Sequence, residues 1–245
     1  MVTDGADCDG NVIIGPILPL CGEVYLAEME FITVETHCHT YRSGDCLMKP
    51  LRLIKLCRAR GIQRLCVTDH NTARGALEMA TIAPDLVIPG EEIMTNQGEL
   101  LALFVDREVP PGLEPMETIE RLRGQGAVIA IPHPFDHHRG GGWCEKNLRA
   151  VLPFVDAVET FNARSLLSGM NERAAALARE VGLAAIVGSD AHSYAEVGRT
   201  TMRMPAYDGP EQFLANLSMA ELRPRRSSGL VHLASRWAAL VHRFA

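Results

Sequence analysis

Short apolar runs alternate with longer segments of helical periodicity along most of the chain. In order, the apolar runs are 31–37, 62–70, 86–92, 99–105, 127–133, 154–162 and 183–192. Apolar residues recur at helical spacing in the connecting stretches, for example 115–126 and 168–182. The third and fourth runs are separated by only a few residues, including MTNQG, which are too few for a helix. The pattern therefore predicts seven strands with mostly helical connections.

Continuous apolar strands separated by helices are typical of a parallel sheet that is buried on both faces. Seven such strands favour a closed or nearly closed β/α barrel, one strand short of the usual eight. We therefore expect an α/β protein with a distorted seven-stranded, TIM-like barrel over residues 31–220. Residues 1–30 do not match the barrel pattern and are expected to form an N-terminal extension.

The last segment, 221–245, differs from the rest in charge, with five arginines against one acid. Its apolar residues recur at helical spacing: Leu230, Leu233, Trp237, Leu240, Val241 and Phe244. This pattern predicts a basic amphipathic C-terminal helix. Such a helix can dock on its own domain or on a second copy in a homo-oligomer, or it can bind a membrane surface or an acidic partner.

Composition narrows the class of protein further. The 245 residues are 47% apolar with a net charge of −6, which disfavours long duplex nucleic acid as a partner. Seven cysteines at irregular spacing, without a CxxC pair, argue against a structural zinc knuckle. The beginning of the chain is acidic and its apolar run is short and broken by prolines, so we expect neither a signal peptide nor a membrane span but a cytoplasmic protein.

Polar residues cluster where the predicted strands end. Six of the seven runs finish in or just before THCH, TDH, GEE, IPH, ETFN or SDAH. In a β/α barrel these strand ends and the loops after them build the active site. Residues two apart on a strand share a face, so His37 and His39 point to one side, as do Asp190 and His192. The strand ends therefore present paired side chains to a common rim.

Imidazole and carboxylate groups at one rim predict a metal site. Five of the nine histidines fall at these ends, together with two acids: His37, His39, His70, Glu92, His133, Asp190 and His192. Neutral imidazole with carboxylate is a ligand set that suits zinc, manganese or iron. Cys38 alternates away from the face of the two histidines that flank it, and we interpret it as a packing residue.

The motif series HCH…TDHNT…GEE…IPHP…SDAH resembles the polymerase and histidinol phosphatase (PHP) family of metal-dependent phosphoesterases. The similarity covers roughly residues 31–205. It implies a distorted seven-stranded barrel that holds two or three divalent ions of manganese, zinc or iron. It also implies hydrolysis of a small phosphate ester by a metal-activated water, without a side-chain nucleophile. The ester could be a phosphorylated metabolite, a nucleotide or an oligonucleotide end.

The resemblance also assigns candidate ligands to each ion. It implies His37, His39, Glu92 and Asp190 around one ion, Glu92 and His133 on a second, and Asp45, His70 and His192 on a third. Glu99 stands where many members have a histidine, and a carboxylate there would favour manganese or iron over zinc. Asp45 follows Ser43-Gly44, whereas many members have the order S-D-G.

Further candidates lie near the same strand ends. Asp69, Glu159 and Asn162 are candidates for orienting a ligand or a water, or alternatively for local turn structure. Lys49, Arg139, Arg164 and Arg199 are candidates for binding phosphate oxygens. His137 and His138 precede GGG and could form a lid over the pocket.

Two other readings stay open at the level of sequence. An amidohydrolase-like metal hydrolase also uses an HxH pair, although those barrels usually rely on a carboxylated lysine and no lysine stands at a strand end here. A non-catalytic metal-binding or regulatory domain could retain the same barrel and ligands.

Overall fold

The computed structural model describes residues 29–136 and 141–244. Their strands are β1 (Phe31–Cys38), β2 (Arg64–Val67), β3 (Val87–Met94), β4 (Glu99–Leu103), β5 (Val128–Ile131), β6 (Ala157–Asn162), β7 (Ala184–Gly188), β8 (Thr201–Pro205) and β9 (Glu221–Arg223). Their α-helices are α1 (Pro50–Ala59), α2 (Arg74–Ile82), α3 (Pro115–Arg123), α4 (Glu145–Val151), α5 (Met170–Val181), α6 (Pro210–Asn216) and α7 (Val231–Arg243).

The described residues from Phe31 onward form one compact unit. Residues 1–28 of the expected N-terminal extension lie outside the described residues, so the extension stays a prediction. The expected C-terminal helix is shorter than 221–245, because residues 221–223 form strand β9 and the helix α7 begins only at Val231.

The nine strands form one sheet in the order β7-β6-β5-β4-β3-β2-β1-β8-β9. The chain leaves β7 and returns close to β1, where His39 N donates to the Ala191 carbonyl at 2.9 Å and an isolated bridge joins Cys38 to Ala191. This contact brings the two ends of the β1–β7 series together. The predicted distorted barrel is therefore confirmed, with β8 and β9 as two strands beyond the seven that the sequence pattern predicts.

The expectation of a parallel sheet is wrong for β4, and the additional strand β8 is antiparallel as well. β4 runs antiparallel to both β3 and β5, and β8 runs antiparallel to β1. The physical reason for β4 is the short connection after β3, since antiparallel strands can be joined by a tight turn whereas parallel strands need a long crossover. The remaining neighbours among β1–β7 pair in parallel.

Apolar side chains fill the space inside the sheet and beneath the helices. All five residues of β4 and all four of β5 are buried, as expected for strands covered on both faces. On α5 the buried apolar residues Ala174, Leu177 and Ala178 recur at helical spacing and pack on the sheet, while Gly182 ends the helix at a φ of 71°. Burying a leucine-sized side chain contributes roughly 2 kcal/mol. The apolar core thus holds the polar strand ends in place.

Candidate metal centre

Five histidine rings meet at the carboxyl ends of β1, β2, β5 and β7. The ring centroids of His39 and His192 are 4.1 Å apart, those of His37 and His39 5.1 Å, those of His39 and His70 4.4 Å, and those of His37 and His133 5.8 Å. Four of the five are at most 6% exposed, and the His70 side chain is 29% exposed. The structure therefore brings the five predicted histidines into one cluster.

The first group of the cluster joins β1 to β3 and to the end of β7. His39 Nε2 lies 3.3 Å from Asp190 Oδ1 and 3.4 Å from Glu92 Oε2, and His37 Nε2 lies 3.4 Å from the same Glu92 oxygen. His37 Nε2 is 3.8 Å from Asp190 Oδ1. Ligand atoms that each lie about 2.1 Å from one ion are about 3.0–3.4 Å apart, so three of these four separations match those between ligands of one ion.

The second group is built around the other oxygen of Glu92. His133 Nε2 lies 2.8 Å from Glu92 Oε1 and 3.9 Å from Glu99 Oε2. Glu99 begins β4, and its backbone carbonyl accepts a 2.9 Å hydrogen bond from Trp143 Nε1. Gly141 passes so close that a Cβ there would lie 1.8 Å from the Glu99 carboxylate. Glu92 therefore faces both groups, with one oxygen toward each.

The third group contains Asp45, His70 and His192. Asp45 Oδ2 lies 3.0 Å from His192 Nε2 and 3.7 Å from His70 Nε2. His192 Nδ1 is 2.9 Å from the Asp190 carbonyl, which fixes a proton on Nδ1 because a carbonyl only accepts. The lone pair on His192 Nε2 then points at Asp45 Oδ2, which is 3.0 Å away. Because both atoms are acceptors, they need a positive charge between them, which a second ring proton or a cation can supply.

Buried partners orient the two histidines of the HxH motif from behind. His37 Nδ1 donates to Glu159 Oε1 at 3.0 Å, and His39 Nδ1 donates to Ser43 Oγ at 2.9 Å. Ser43 in turn donates to Asp69 Oδ1 at 2.8 Å. Such partners fix the tautomer of a metal-ligating histidine and leave Nε2 with a lone pair.

The predicted neighbours Asp69, Glu159 and Asn162 all lie within this hydrogen-bond network. Asn162 Nδ2 donates to Glu159 Oε2 at 3.0 Å and to Asp190 Oδ2 at 3.1 Å. Asp69 also accepts from the Thr40 hydroxyl at 2.7 Å, which ties the loop after β1 to the end of β2. Ser43, which mediates between Asp69 and His39, is a functional neighbour that sequence reasoning did not single out.

Unsatisfied buried atoms show that the residues fit a cation. His37 Nε2 and His39 Nε2 are buried and have no hydrogen-bond partner among the described residues. Burial and the neighbouring His192 and His70 hold the pKa of His39 well below its ordinary value, which favours the neutral imidazole that binds a metal ion. Burial and the negative charge of Glu92 raise the pKa of Glu99 to about 7. A cation at this point would interact favourably with the unpaired Nε2 atoms and with the carboxylate of Glu99.

Two candidate ligands stand in left-handed backbone conformations. Asp190 has a φ of 52° and His133 a φ of 26°, where non-glycine residues are uncommon. Each such residue costs on the order of 1–3 kcal/mol and persists only where the surroundings enforce it. Here the conformation turns the side chain that follows a strand back toward the cluster.

The phosphate-binding candidates separate in the structure. Arg164 lines a cavity of about 290 Å³ above the cluster, together with Asp45, His70, Glu99, His133 and His192. Lys49 lines a different surface pocket beside Tyr41 and Leu51, and Arg199 donates to the Arg226 carbonyl at 3.1 Å. Arg139, His137 and His138 lie outside the described residues. Substrate binding by Lys49, Arg139 and Arg199 stays a prediction.

Sequence reasoning missed part of the cavity wall. His232, Ser235 and Arg236 of α7 complete the lining. The sequence predicts the helix itself, but helical periodicity alone cannot show which part of the barrel a terminal helix contacts.

Comparison with known proteins agrees with this site. A family model described as PHP-associated (PHP_C) matches residues 169–222. An uncharacterized protein of Methanocaldococcus jannaschii is 36% identical over 174 residues, which are 69% of this chain and 69% of that protein. A Caldicellulosiruptor bescii protein named probable phosphatase is 24% identical over 225 residues, covering 77% of this chain and 93% of that protein.

Solved structures share the fold at low sequence identity. A two-domain Bacteroides vulgatus protein containing a predicted PHP-like metal-dependent phosphoesterase aligns with a TM-score of 0.60 at 18% identity, over 76% of this chain and 62% of that one. PsfC of Pseudomonas syringae aligns with a TM-score of 0.63 at 18% identity, over 87% and 100%. An amidohydrolase of Chromobacterium violaceum with bound sulfate aligns with a TM-score of 0.56 at 16% identity, over 78% and 98%.

A distorted β/α barrel that gathers imidazoles and carboxylates at one rim is the architecture of a metal-dependent hydrolase class. Within that class, the matches and the motif order are those of one family. The chain belongs to the polymerase and histidinol phosphatase (PHP) family of metal-dependent phosphoesterases. In the part of the chain that the structure describes, no helix has the length and apolarity needed to cross a membrane.

Proposed function

We propose that this protein is a metal-dependent phosphoesterase that hydrolyses a small phosphate ester. The observation that carries the proposal is the meeting of eight side chains from distant parts of the chain at one rim, with Asp45 beside His192 and His70, and with two buried imidazole nitrogens left without a hydrogen bond among the described residues. The nine proposed ligands are His37, His39, Asp45, His70, Glu92, Glu99, His133, Asp190 and His192. Two or three divalent ions bound there would activate a water and offset charge on the phosphoryl oxygens.

The chain's own groups prepare the site in two ways. Glu159 and the Ser43–Asp69 pair hold protons on the Nδ1 atoms of His37 and His39, so that both Nε2 lone pairs face the same point. The barrel core behind the ligands fixes their positions, so little reorganisation is needed when charge develops on the phosphate.

Arg164 is the candidate for binding a phosphoryl oxygen. Its side chain is almost fully buried at the cavity wall, and its Nη1 lies 3.4 Å from the Asp190 carbonyl. A guanidinium at this wall can donate a charge-assisted hydrogen bond to a phosphoryl oxygen.

The donor set also bears on the metal. Five imidazoles with four carboxylates make a nitrogen- and oxygen-rich site, and thiolates are absent among the described groups that could hold a metal. This set suits manganese, iron or zinc. With Glu99 in place of a histidine we propose manganese or iron first. The metal content of protein purified without added metal, measured by elemental analysis, tests this order.

The decisive experiment is a screen of phosphomonoesters, phosphodiesters and nucleotides with added manganese, iron or zinc. We expect phosphate release by the wild type, and a fall of more than about 100-fold in His39→Ala and Asp190→Asn because each removes a proposed ligand. Asp208→Asn, which changes an exposed aspartate far along the chain from the motifs, is the matched control and should retain full activity.

Two other outcomes would replace the proposal. The amidohydrolase neighbour gives a specific reason to include amide substrates, and activity confined to them would show carbon–nitrogen hydrolysis instead. Metal binding with no turnover of any substrate would indicate a non-catalytic regulatory domain. The cytoplasmic location and the absence of a long duplex nucleic-acid partner stay proposals, supported by the net charge of −6 for the second.

A further inference from the structure

The C-terminal helix α7 covers the cavity above the histidine cluster. Of the nine described residues that line this cavity, five follow barrel strands, Glu99 begins β4, and His232, Ser235 and Arg236 come from α7. The cavity volume is about 290 Å³, at the small end of ligand pockets. The pocket is thus formed jointly by the barrel rim and by a helix that lies outside the motif region.

Specific polar contacts hold α7 in this place. Arg164 Nη2 donates to Ser235 Oγ at 2.6 Å, and His232 Nε2 donates to the Arg164 carbonyl at 3.1 Å. Ser235 and Ala238 are buried, so the small residues of the helix face the barrel. Upstream, Ser227 N donates to the Ala163 carbonyl at 2.8 Å. The helix and the residues just before it therefore contact both the backbone around Arg164 and the Arg164 side chain.

The two arginines at the cavity are in different electrostatic situations. Arg164 is buried, and its Nε lies 3.6 Å from the buried Glu196 carboxylate, which compensates much of its charge. Arg236 is exposed at the cavity rim, and among the described residues no carboxylate lies within 4.0 Å of its guanidinium. Its positive charge is therefore free to interact with an anionic group in the cavity.

The lining also limits the chemistry of the ligand. None of the described lining residues is Phe, Tyr or Trp, and all nine are polar or charged. A cavity of about 290 Å³ lies just below the usual range for ligand pockets, so it suits a small ligand. The cavity therefore favours a compact polar phosphate ester.

We infer that Arg236 of α7 is a specificity-determining residue that binds the phosphoryl group of a small phosphomonoester from the side opposite the histidine cluster. The inference rests on the proposed function and deepens it by naming the substrate class. A phosphomonoester keeps two charged oxygens that can reach the rim, whereas a diester presents a bulky second substituent there. Arg236 thus selects for the monoester and against larger ligands.

Equilibrium binding of inorganic phosphate to the full-length, metal-reconstituted protein tests this without relying on turnover. Arg236→Ala should weaken phosphate binding roughly 10- to 100-fold, the range for a lost hydrogen bond to a charged group. The matched control is Arg243→Ala, since Arg243 is an exposed arginine near the end of the same helix. It should bind phosphate within about twofold of the wild type. Thermal unfolding of both variants checks that the fold is retained.

Steady-state kinetics give a second readout. For p-nitrophenyl phosphate, Arg236→Ala should raise KM by a factor similar to the loss in phosphate affinity while kcat changes by less than about threefold. The KM of bis(p-nitrophenyl) phosphate should stay the same in this variant. A small alkyl phosphate should be used at least as efficiently as adenosine monophosphate, and a tenfold preference for the nucleotide would refute the assignment of the substrate class.

The outcomes separate this inference from the proposed function. Equal phosphate affinity in the wild type and Arg236→Ala, together with normal hydrolysis, would refute the role of Arg236 and leave the phosphoesterase in place. Phosphate binding that depends on Arg236 in a protein that hydrolyses no phosphate ester would support the anion site and refute the enzyme.

Discussion

Glu159 shows how much a single buried residue contributes to the site. Its carboxylate accepts three hydrogen bonds, from His37 Nδ1 at 3.0 Å, from the His133 backbone N–H at 2.8 Å and from Asn162 Nδ2 at 3.0 Å. It is fully buried, yet its charge faces donors on every side. One carboxylate thereby fixes a ring tautomer, a strained backbone turn and the amide that contacts Asp190.

At this scale we predict that Glu159→Gln lowers the affinity for divalent metal by roughly 10- to 100-fold, as is common for partners behind a ligand. The new amide would place an N–H₂ group against one of three donors, so the His37 ring loses its orientation. Competition with a chromophoric chelator measures the change. Glu211→Gln, at an exposed glutamate of α6, is the matched control. Equal metal affinity in the two variants would show that Glu159 does not position the ligands.

At the scale of elements, strand β3 places two consecutive glutamates in opposite surroundings. Glu92 faces the cluster, whereas the neighbouring Glu91 accepts a 2.9 Å hydrogen bond from Val109 N on the other side. Burial, with a smaller contribution from Glu108, raises the pKa of Glu91 to about 8. Alternation along one strand thus separates a residue of the site from a buried carboxyl group that keeps its proton.

Glu91 makes the free energy of unfolding fall as pH rises. In the unfolded chain its carboxyl has the ordinary pKa of about 4.5, whereas in the folded protein burial raises the pKa to about 8. Between these values the folded state binds more protons, so rising pH destabilises it. Glu91→Gln should reduce the loss of unfolding free energy between pH 5 and 9 by up to about 4 kcal/mol. Urea unfolding in the presence of a chelator at several pH values measures it, and an unchanged slope would contradict the assignment.

Strand β7 passes so close to the site at Gly188 that the position has no room for a side chain. A Cβ on Gly188 would lie 2.4 Å from Glu159 Oε1 and 2.5 Å from His37 Cβ. We predict that Gly188→Ala displaces His37, lowers metal affinity and destabilises the fold by roughly 1–3 kcal/mol, as overpacking commonly does. Gly209→Ala has open space around the new methyl group and should behave as the wild type. Chelator competition and urea unfolding on the pair decide this.

The ends of strands β1–β7 could be predicted because the apolar run of each strand and the polar residues that follow it are adjacent in the sequence. His37 and His39 follow from spacing alone. The antiparallel direction of β4 was missed, since it depends on pairing with β3 and β5 rather than on the composition of Glu99–Leu103. The placement of α7 beside the cavity was missed for a related reason, because the contact between Ser235 and Arg164 joins residues about seventy positions apart.

At the scale of the whole molecule, α7 presents two unlike faces. Ser235 and Ala238 are buried against the barrel, whereas large apolar residues on the helix and at its two ends are exposed: Leu230 at 72%, Leu233 at 61%, Trp237 at 63%, Leu240 at 44% and Phe244 at 85%. An exposed stripe of this kind is unusual for a monomer in isolation. It supports the expectation, still a prediction, that α7 joins two copies in a homo-oligomer.

We predict that Leu233→Asp lowers the molar mass measured by light scattering toward that of one 26.8 kDa chain. The new charge would have to be buried against the second copy, which is costly. Leu51→Asp changes a leucine of α1 that is 62% exposed and leaves the assembly as it is in the wild type. A wild type that already has the mass of one chain would refute the oligomer.

The contact that completes the barrel, between the end of β1 and Ala191, joins residues about 150 positions apart through few hydrogen bonds. Proposed ligands stand on both sides of this seam, with the HxH histidines on one and Asp190 and His192 on the other. Closing so distant a pair is entropically expensive and slow during folding. An ion bound by ligands from both sides of this contact would link the first and last barrel strands. Amide hydrogen exchange at His39 and Ala191 would then slow when the metal is added.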